Sequence, residues 1–405
     1  MIRTYMKQEF FLIMNNKKNI LFILFLFALL SSYCFLIIPN QETLNTYVPE
    51  DKAKELEEIH AVQRDREERG ATGIILYTGM PAYAMDAHYY HLHRNMLTAY
   101  EDQNYLRYLL LKTYDLEFNS IDFHNKQYIN FMESPFPSKD VDHLYYQTLL
   151  RYQGYLEQEH RITLPIIEEK TAVQVLKNNI LHYVTYFIVF CAIFFSSDVV
   201  IRDRHNRSIV QGFPFSWYSV LNIKSFVAFS YTMIILVLLA ALGMIFLTAQ
   251  FGFGNFDIRV PILTLEKWNF SLEDYDTISI ARFLLLTVSF IPILVYLFIR
   301  INVIFSLLFK NQWVVLVLST IMLVSERIYF TRTTRELFGI EISNFPQTYF
   351  DFGKVITGEK NFLVNVNTIT FEKGLLVLGL SLIMVELILI VVSRLISKRR
   401  FFKAS

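Results

Sequence analysis

The chain carries repeated apolar runs of about 20 residues, the length at which an α-helix crosses the hydrocarbon core of a bilayer. They fall at Ile20–Ile38, Ile180–Ile201, about Val220–Thr248, Trp313 to about Phe330, and Gly374–Ile396. A further run opens near Ile280, contains Pro292, and meets Arg300 and Lys310 at its far side. A soluble domain of this length does not accumulate such runs, and the 37 Phe and 24 Tyr point the same way. The pattern predicts an all-α integral membrane protein with six transmembrane helices.

Charge orients the spans. Lys and Arg gather in short loops on the cytoplasmic side of a membrane. Arg3, Lys7, Lys17 and Lys18 precede the first span, Arg202, Arg204, Arg207 and Lys224 follow the second, and Arg394, Lys398, Arg399, Arg400 and Lys403 close the sixth. Both termini are therefore expected inside. The first span is too long for a signal-peptide core and lacks a small-residue cleavage site, so it reads as retained. Ahead of it, Ile2, Tyr5, Met6, Phe10 and Ile13 recur at helical spacing, which predicts an N-terminal amphipathic helix in the interface. Residues 1–39 thus form this helix and the first span.

Residues 40–176 are the one large polar region. They hold thirteen Lys and Arg against twenty-two Asp and Glu, an excess of nine negative charges. Helical charge spacing in Asp51–Arg69 and helical apolar spacing in Tyr100–Tyr114 and His143–Gln158 predict a mostly helical extracellular domain with a modest core of its own. Residues 177–405 complete the membrane part. In it, Phe251–Ser279 reads as an outer connection, and 331–373, between spans five and six, is too long for a tight turn. Pro346, Tyr349, Phe350, Phe352, Gly353 and Gly358 there fit a re-entrant helical hairpin, against the plainer reading of a surface loop.

The loop 202–224 carries a family resemblance. After Asp203-Arg204 come Ser208, Pro214 and Lys224, with a helix-compatible piece from Asn206 to Phe213 that Pro214 stops. This resembles the first intracellular loop of ABC-2 type transporter permeases, which has Glu-Arg, Gly-Thr, a Pro, and Gly-Lys opening the next helix. Arg207 and Ile223 stand where the glycines would be. On residues alone, the plainer and less favoured alternative is a solvated charged turn. The resemblance extends to the span layout, and to the subgroup with a large outer domain found among sodium-export and antimicrobial-resistance permeases.

That resemblance implies a transport subunit of a bacterial cell membrane that exports or extracts an amphiphilic substrate. It implies a second permease chain, and two copies of a separate ATPase that hold the ATP and Mg. Arg202, Asp203, Arg204, Arg207, Ser208, Phe213 and Pro214 would form the ATPase-coupling element, and Tyr349 and Phe350 would cap the transport path. Glu386, an ionisable residue near the middle of the sixth span, is either a path residue or a hydrogen-bonding tie between helices. Glu326, Arg327 and Arg282 read as interfacial anchors and pairs.

No G-x-x-x-x-G-K-[ST] is present, so no phosphate-cradling loop of that type is encoded. His88, His91 and His93 lie near Asp86, but H-E-x-x-H is absent, and a helix surface is the preferred reading over a metal site. No catalytic constellation stands out, and no nucleic-acid partner is expected. Two other classes remain open: a peptide-sensing or mechanotransmitting membrane subunit, and a membrane-anchored enzyme with an outer active site.

Overall fold

The computed structural model describes residues 2–70, 73–74, 79–158, 161–182, 184–204, 215–264 and 271–402. Among them, five helices are long and apolar enough to cross a membrane: α2 (Lys17–Asn40), the segment Val184–Arg204, α10 (Trp217–Phe251), α11 (Ile280–Phe309) and α15 (Phe371–Leu395). The chain is an all-α multi-pass membrane protein with very little sheet. Local signals set the helix ends. Ser216 caps α10 by accepting from the Ser219 amide, and Gly252 stops it with φ 86°. Ser279 caps α11 in the same way, and Lys310 ends it in the left-handed region at φ 56°.

Four expectations need correcting. The fifth apolar run forms only a 13-residue helix, α12 (Gln312–Val324), followed by the single turn Glu326–Tyr329. At 1.5 Å per residue it spans roughly 20 Å, short of a hydrocarbon core. The run expected over Ile180–Ile201 is interrupted. Helix α8 (Ala172–Leu181) stops at His182, with φ −104° and ψ −102°, and α9 (Val184–Ser196) resumes the path. Arg300 is not at a helix end, because α11 continues through Ile301 to Phe309. The connection after α10 contains an antiparallel hairpin, β1 (Arg259–Leu263) and β2 (Tyr275–Ser279), paired from Arg259↔Ser279 to Leu263↔Tyr275. Pro261 sits inside β1, and a Pro within a short run argues against a strand when only sequence is read.

The polar region folds as α3 (Pro49–Glu68), α4 (Ala82–Glu101), α5 (Tyr105–Phe118), α6 (Ser120–Asn130), α7 (Pro137–Leu156) and α8. Its core is built on Tyr47, Tyr108, Tyr152 and Tyr155 with Leu92, Met96 and Leu109. It is not a core of its own. The same buried cluster runs on through Val260 and Ile278 of the hairpin into Phe283, Phe290 and Phe298 of α11. Gly154 of α7 lies so close to β1 that a Cβ there would sit 2.6 Å from that of Arg259. Arg332 donates to both oxygens of Asp140, at 2.9 and 2.7 Å, and adds a charged clasp between the helical domain and the connection that follows α12.

That connection is more elaborate than a hairpin. Residues Glu336–Leu337 pair with Ile340–Glu341, 3-10 turns follow at Ile342–Asn344 and Pro346–Tyr349, and two short helices complete it, α13 (Phe352–Ile356) and α14 (Glu359–Val364). Helix α13 packs into the break between α8 and α9. A Cβ on Gly353 would lie 2.3 Å from the Ile180 carbonyl oxygen, so only glycine permits this approach.

The opposite end of the bundle is basic. There α1 (Ile2–Met14) buries Tyr5, Glu9 and Ile13, one residue per turn, against protein rather than lying free. Tyr5 joins a cluster with Val200, Trp217, Val220, Leu307 and the phenylalanines of α16 (Lys398–Phe402).

Candidate functional site

Two groups of charges lie buried at and above the basic end, and the first turns of α10 connect them. The deeper group centres on Arg300 of α11, which is 1% exposed. Its Nε donates to Glu386 Oε1 at 2.5 Å and its Nη2 to Glu386 Oε2 at 2.7 Å. Nη1 donates to Ser225 Oγ at 2.9 Å, and Nη2 also reaches Asn222 Oδ1 at 2.5 Å. The guanidinium lies over the Tyr296 ring, 5.3 Å from its centroid, and the Tyr218 hydroxyl donates to Glu386 Oε2 at 3.2 Å. A planar fork bound to both carboxylate oxygens is the strong form of this ion pair. Two more helix-borne acceptors take one further N–H of each Nη, so four of the five N–H groups are paired. Glu386 keeps 24% of its side chain exposed, so one edge of the pair stays open.

The second group centres on Lys224, two residues beyond Asn222 and fully buried. Its ammonium sits 2.8 Å from Glu9 Oε1 and 2.9 Å from Asp203 Oδ1, and donates to the Val199 carbonyl at 3.3 Å. Arg202 donates to the other Glu9 oxygen at 3.0 Å. Beside it, Lys18 contacts Asp198 at 3.1 Å and donates to Ser197 Oγ and the Phe194 carbonyl, both at 3.0 Å. Asn16 donates to the second Asp198 oxygen. The elbow between α1 and α2 is thereby tied to the residues that close α9 and open α10. Removing one partner of such a group strands a buried charge, a change of about 3–5 kcal/mol.

Loop 202–224 enters this assembly from both ends. On one side are Arg202, Asp203 and Arg204, with the Arg204 guanidinium 5.7 Å from the centroid of the Phe401 ring. On the other are Phe215, against Tyr5, and Trp217, against Phe401 and Phe402. Arg207, Ser208, Phe213 and Pro214, with the helical piece expected over 206–213, lie outside the described residues. Asp203 does not face solvent as a loop charge would, because Lys224 covers it.

Tyr349 and Phe350 lie elsewhere. Both are fully buried in the main core. The Tyr349 hydroxyl donates to the Ser343 carbonyl at 2.7 Å and its ring presses on Gly374, while Phe350 meets Phe298 edge-on at 5.2 Å. Gly374 is twelve residues before Glu386 on α15, roughly 18 Å along the helix, so the structure does not bring these aromatics to the carboxylate. Glu326 is no interfacial anchor. It is buried, 2.7 Å from Lys360 Nζ, and accepts from the Tyr186 hydroxyl at 3.0 Å.

Sequence reasoning missed Arg300 as the partner of Glu386, although a signal exists. Both residues stand nine positions before the last residue of their helices, Phe309 and Leu395. Asn302 was also missed. It donates to Ser196 Oγ at 2.6 Å and to the Ile193 carbonyl at 2.8 Å, and accepts from Ser319, joining α11 to α9 and α12. In the helical domain, His88 packs on Tyr114 and Phe118 and Asp86 binds Arg66. No group of three metal-ligating side chains occurs among the described residues.

Protein-family models, curated proteins and solved structures yield no match to this chain.

Proposed function

We propose that this chain is the permease subunit of an ABC exporter of the ABC-2 type, with five long spans, a shorter sixth crossing made by α12 and the turn Glu326–Tyr329 after it, and both termini in the cytoplasm of a bacterial cell. The polar region then faces outward, and α13 and α14 form the re-entrant element over the path. A separate ATPase, present in two copies, binds ATP and Mg and docks on loop 202–224. A second permease chain completes the pore, and the cargo is amphiphilic: a peptide, lipid or drug.

One observation carries the reading. Tyr218, Asn222, Lys224 and Ser225 occupy the first turns of α10, where loop 202–224 ends. Lys224 binds α1 through Glu9 and the start of the loop through Asp203, while the other three bind Arg300 or Glu386. A displacement of the loop therefore acts on one short helical stretch that grips the ion pair between α11 and α15. Such a contiguous polar linkage is what a device converting an outside push into a rearrangement of spans needs.

The test is reconstitution. The chain should co-purify with an ATPase subunit, and the complex in proteoliposomes should move an amphiphile only with ATP. Arg207→Glu lies in the loop itself and should uncouple hydrolysis from transport while leaving the Lys224 cluster intact. Absence of an ATPase from the purified complex, or unchanged coupling in that variant, would remove the loop from the mechanism. The core shared between helical domain and bundle favours one second reading, a mechanotransmitting subunit without cargo. ATP-stimulated signalling without any ATP-dependent movement of solute would select it.

A further inference from the structure

At the end of the bundle away from the basic cluster, a cavity of about 100 Å³ opens between α9, the turn after α12, α13 and α14. It is lined by Tyr186, Glu326, Arg327, Phe330, Asp351, Lys354, Lys360 and Leu363. The volume far exceeds the ~10–15 Å³ that one water needs, and admits a ligand of a handful of non-hydrogen atoms.

Its charges fall into two unequal halves. Glu326 is held by close partners: the Lys360 ammonium stands 2.7 Å from its Oε1 and also rests over the Phe330 ring, and its Oε2 accepts from the Tyr186 hydroxyl at 3.0 Å. Asp351 is not. It is 4% exposed, and among the described residues its Oδ1 accepts no hydrogen bond. The nearest cation, Lys354 Nζ, stands 3.9 Å from Oδ2 and 3.7 Å from Glu359 Oε1, both beyond hydrogen-bonding reach. Burial pushes the Asp351 carboxyl up to about 6, against the lowering pull of Lys360 and Lys354. A buried carboxylate oxygen without a donor costs stability, and an amide of the same shape would avoid that cost.

We propose that this cavity binds a small zwitterion carrying a primary ammonium and an oxyanion a few bonds apart, with the ammonium on Asp351 and the oxyanion on Lys354. The lining excludes the simpler classes. A bare anion would face Glu326 and Asp351, and a bare cation would face Arg327, Lys354 and Lys360. A zwitterion fits because, among the described residues, Asp351 Oδ1 has no donor and the acceptors nearest Lys354 Nζ stand 3.7 and 3.9 Å away. Two sources carry this chemistry, an aminoethyl phosphate headgroup of a lipid and a free amino acid. The site stands on the cavity alone and does not depend on the transport reading.

Calorimetric titration of the full chain in phosphatidylcholine nanodiscs tests it, with phosphoethanolamine, glycine and β-alanine as probes and phosphocholine and inorganic phosphate as controls. At least one primary-ammonium zwitterion should bind. Phosphocholine has no N–H to give, so it should bind about tenfold or more weakly than phosphoethanolamine, as should phosphate. Saturation by phosphoethanolamine alone identifies a headgroup site, and saturation by glycine or β-alanine alone a free amino-acid site. Asp351→Asn should lose about tenfold or more in affinity while the empty protein unfolds at the same or a higher temperature, and Lys354→Met should lose a similar factor. Lys354→Met decides should the first variant fail to fold. Equal binding of phosphocholine, unchanged affinity in the folded variants, or no binding by any zwitterion overturns the proposal.

Discussion

The Arg300–Glu386 pair allows a quantitative test of what holds α11 to α15. Glu386→Gln keeps the side-chain shape but deletes the charge. Arg300 then remains 1% exposed without a counter-ion, and an arginine cannot relieve this by releasing its proton. One of the two charge-assisted bonds, now 2.5 and 2.7 Å, is also lost or inverted. Together these place the cost at about 3 kcal/mol, a hundredfold or more in the folded-to-unfolded ratio. Arg300→Gln should cost less, about 2 kcal/mol, because Glu386 is 24% exposed and keeps the Tyr218 hydroxyl as a donor. In the double variant two amides face each other with no stranded charge. Its cost should be about 2–3 kcal/mol instead of the summed 5, a coupling of about 2–3 kcal/mol. Unfolding titrations of the purified protein in mixed micelles measure all three. Additivity within about 0.5 kcal/mol would refute the claim that the pair acts as a unit. The double variant also separates structure from transport: if it folds normally but moves no cargo, the charges serve the path.

Three further outcomes follow from the geometry. Lys224→Met leaves Glu9 and Asp203 buried and facing each other, which should destabilise by about 3–5 kcal/mol and expose α1 to protease; an undigested α1 would show the cluster to be dispensable. Gly353→Ala drives a methyl into the Ile180 carbonyl and should cost about 1–3 kcal/mol, seen as a lowered unfolding midpoint; a neutral result would mean that α13 can shift away freely. In the helical domain, burial alone would raise the Glu169 carboxyl, but Arg151 and Lys177 outweigh it and hold the group at about 2, below its ordinary 4.5. A depressed folded value means that the stabilisation is present above about pH 4.5 and is lost as pH falls toward 2, to the extent of about 3 kcal/mol. Glu169→Gln should flatten that part of the acid-unfolding curve, and a curve unchanged in shape would contradict the assignment.

How much could be read from the sequence varied with the range of the interaction involved. Apolar run length located the helices that cross, because that signal is local and the physics of lipid is uniform. It failed at His182, where the break in the second run serves α13, a neighbour more than 160 residues later that needs Gly353 against Ile180. The hairpin was hidden because Pro261 weakens the pattern that marks a strand, and the pairing with Tyr275–Ser279 supplies what the local signal lacks. Glu386 stood out as an intramembrane charge, but its partner did not. Arg300 resembles a flank residue until the nine positions after it, seven of them apolar, are counted as helix. Likewise Asp203 and Lys224 read as loop charges, since burial of both depends on Glu9, which α1 brings from the start of the chain.

The order in which these partners leave the ribosome differs between the two clusters. Glu9 and Asp203 are both synthesised before Lys224, so the lysine finds its anions waiting. Arg300 is made 86 residues ahead of Glu386. At about 5–20 residues per second, it spends roughly 4–17 s with only Asn222 and Ser225 to bind. Arrival of α15 is therefore the step that gives Arg300 its counter-ion. A chain truncated before Phe371 should be the species that membrane quality control removes, and Arg300→Gln in the truncated chain should lengthen its lifetime.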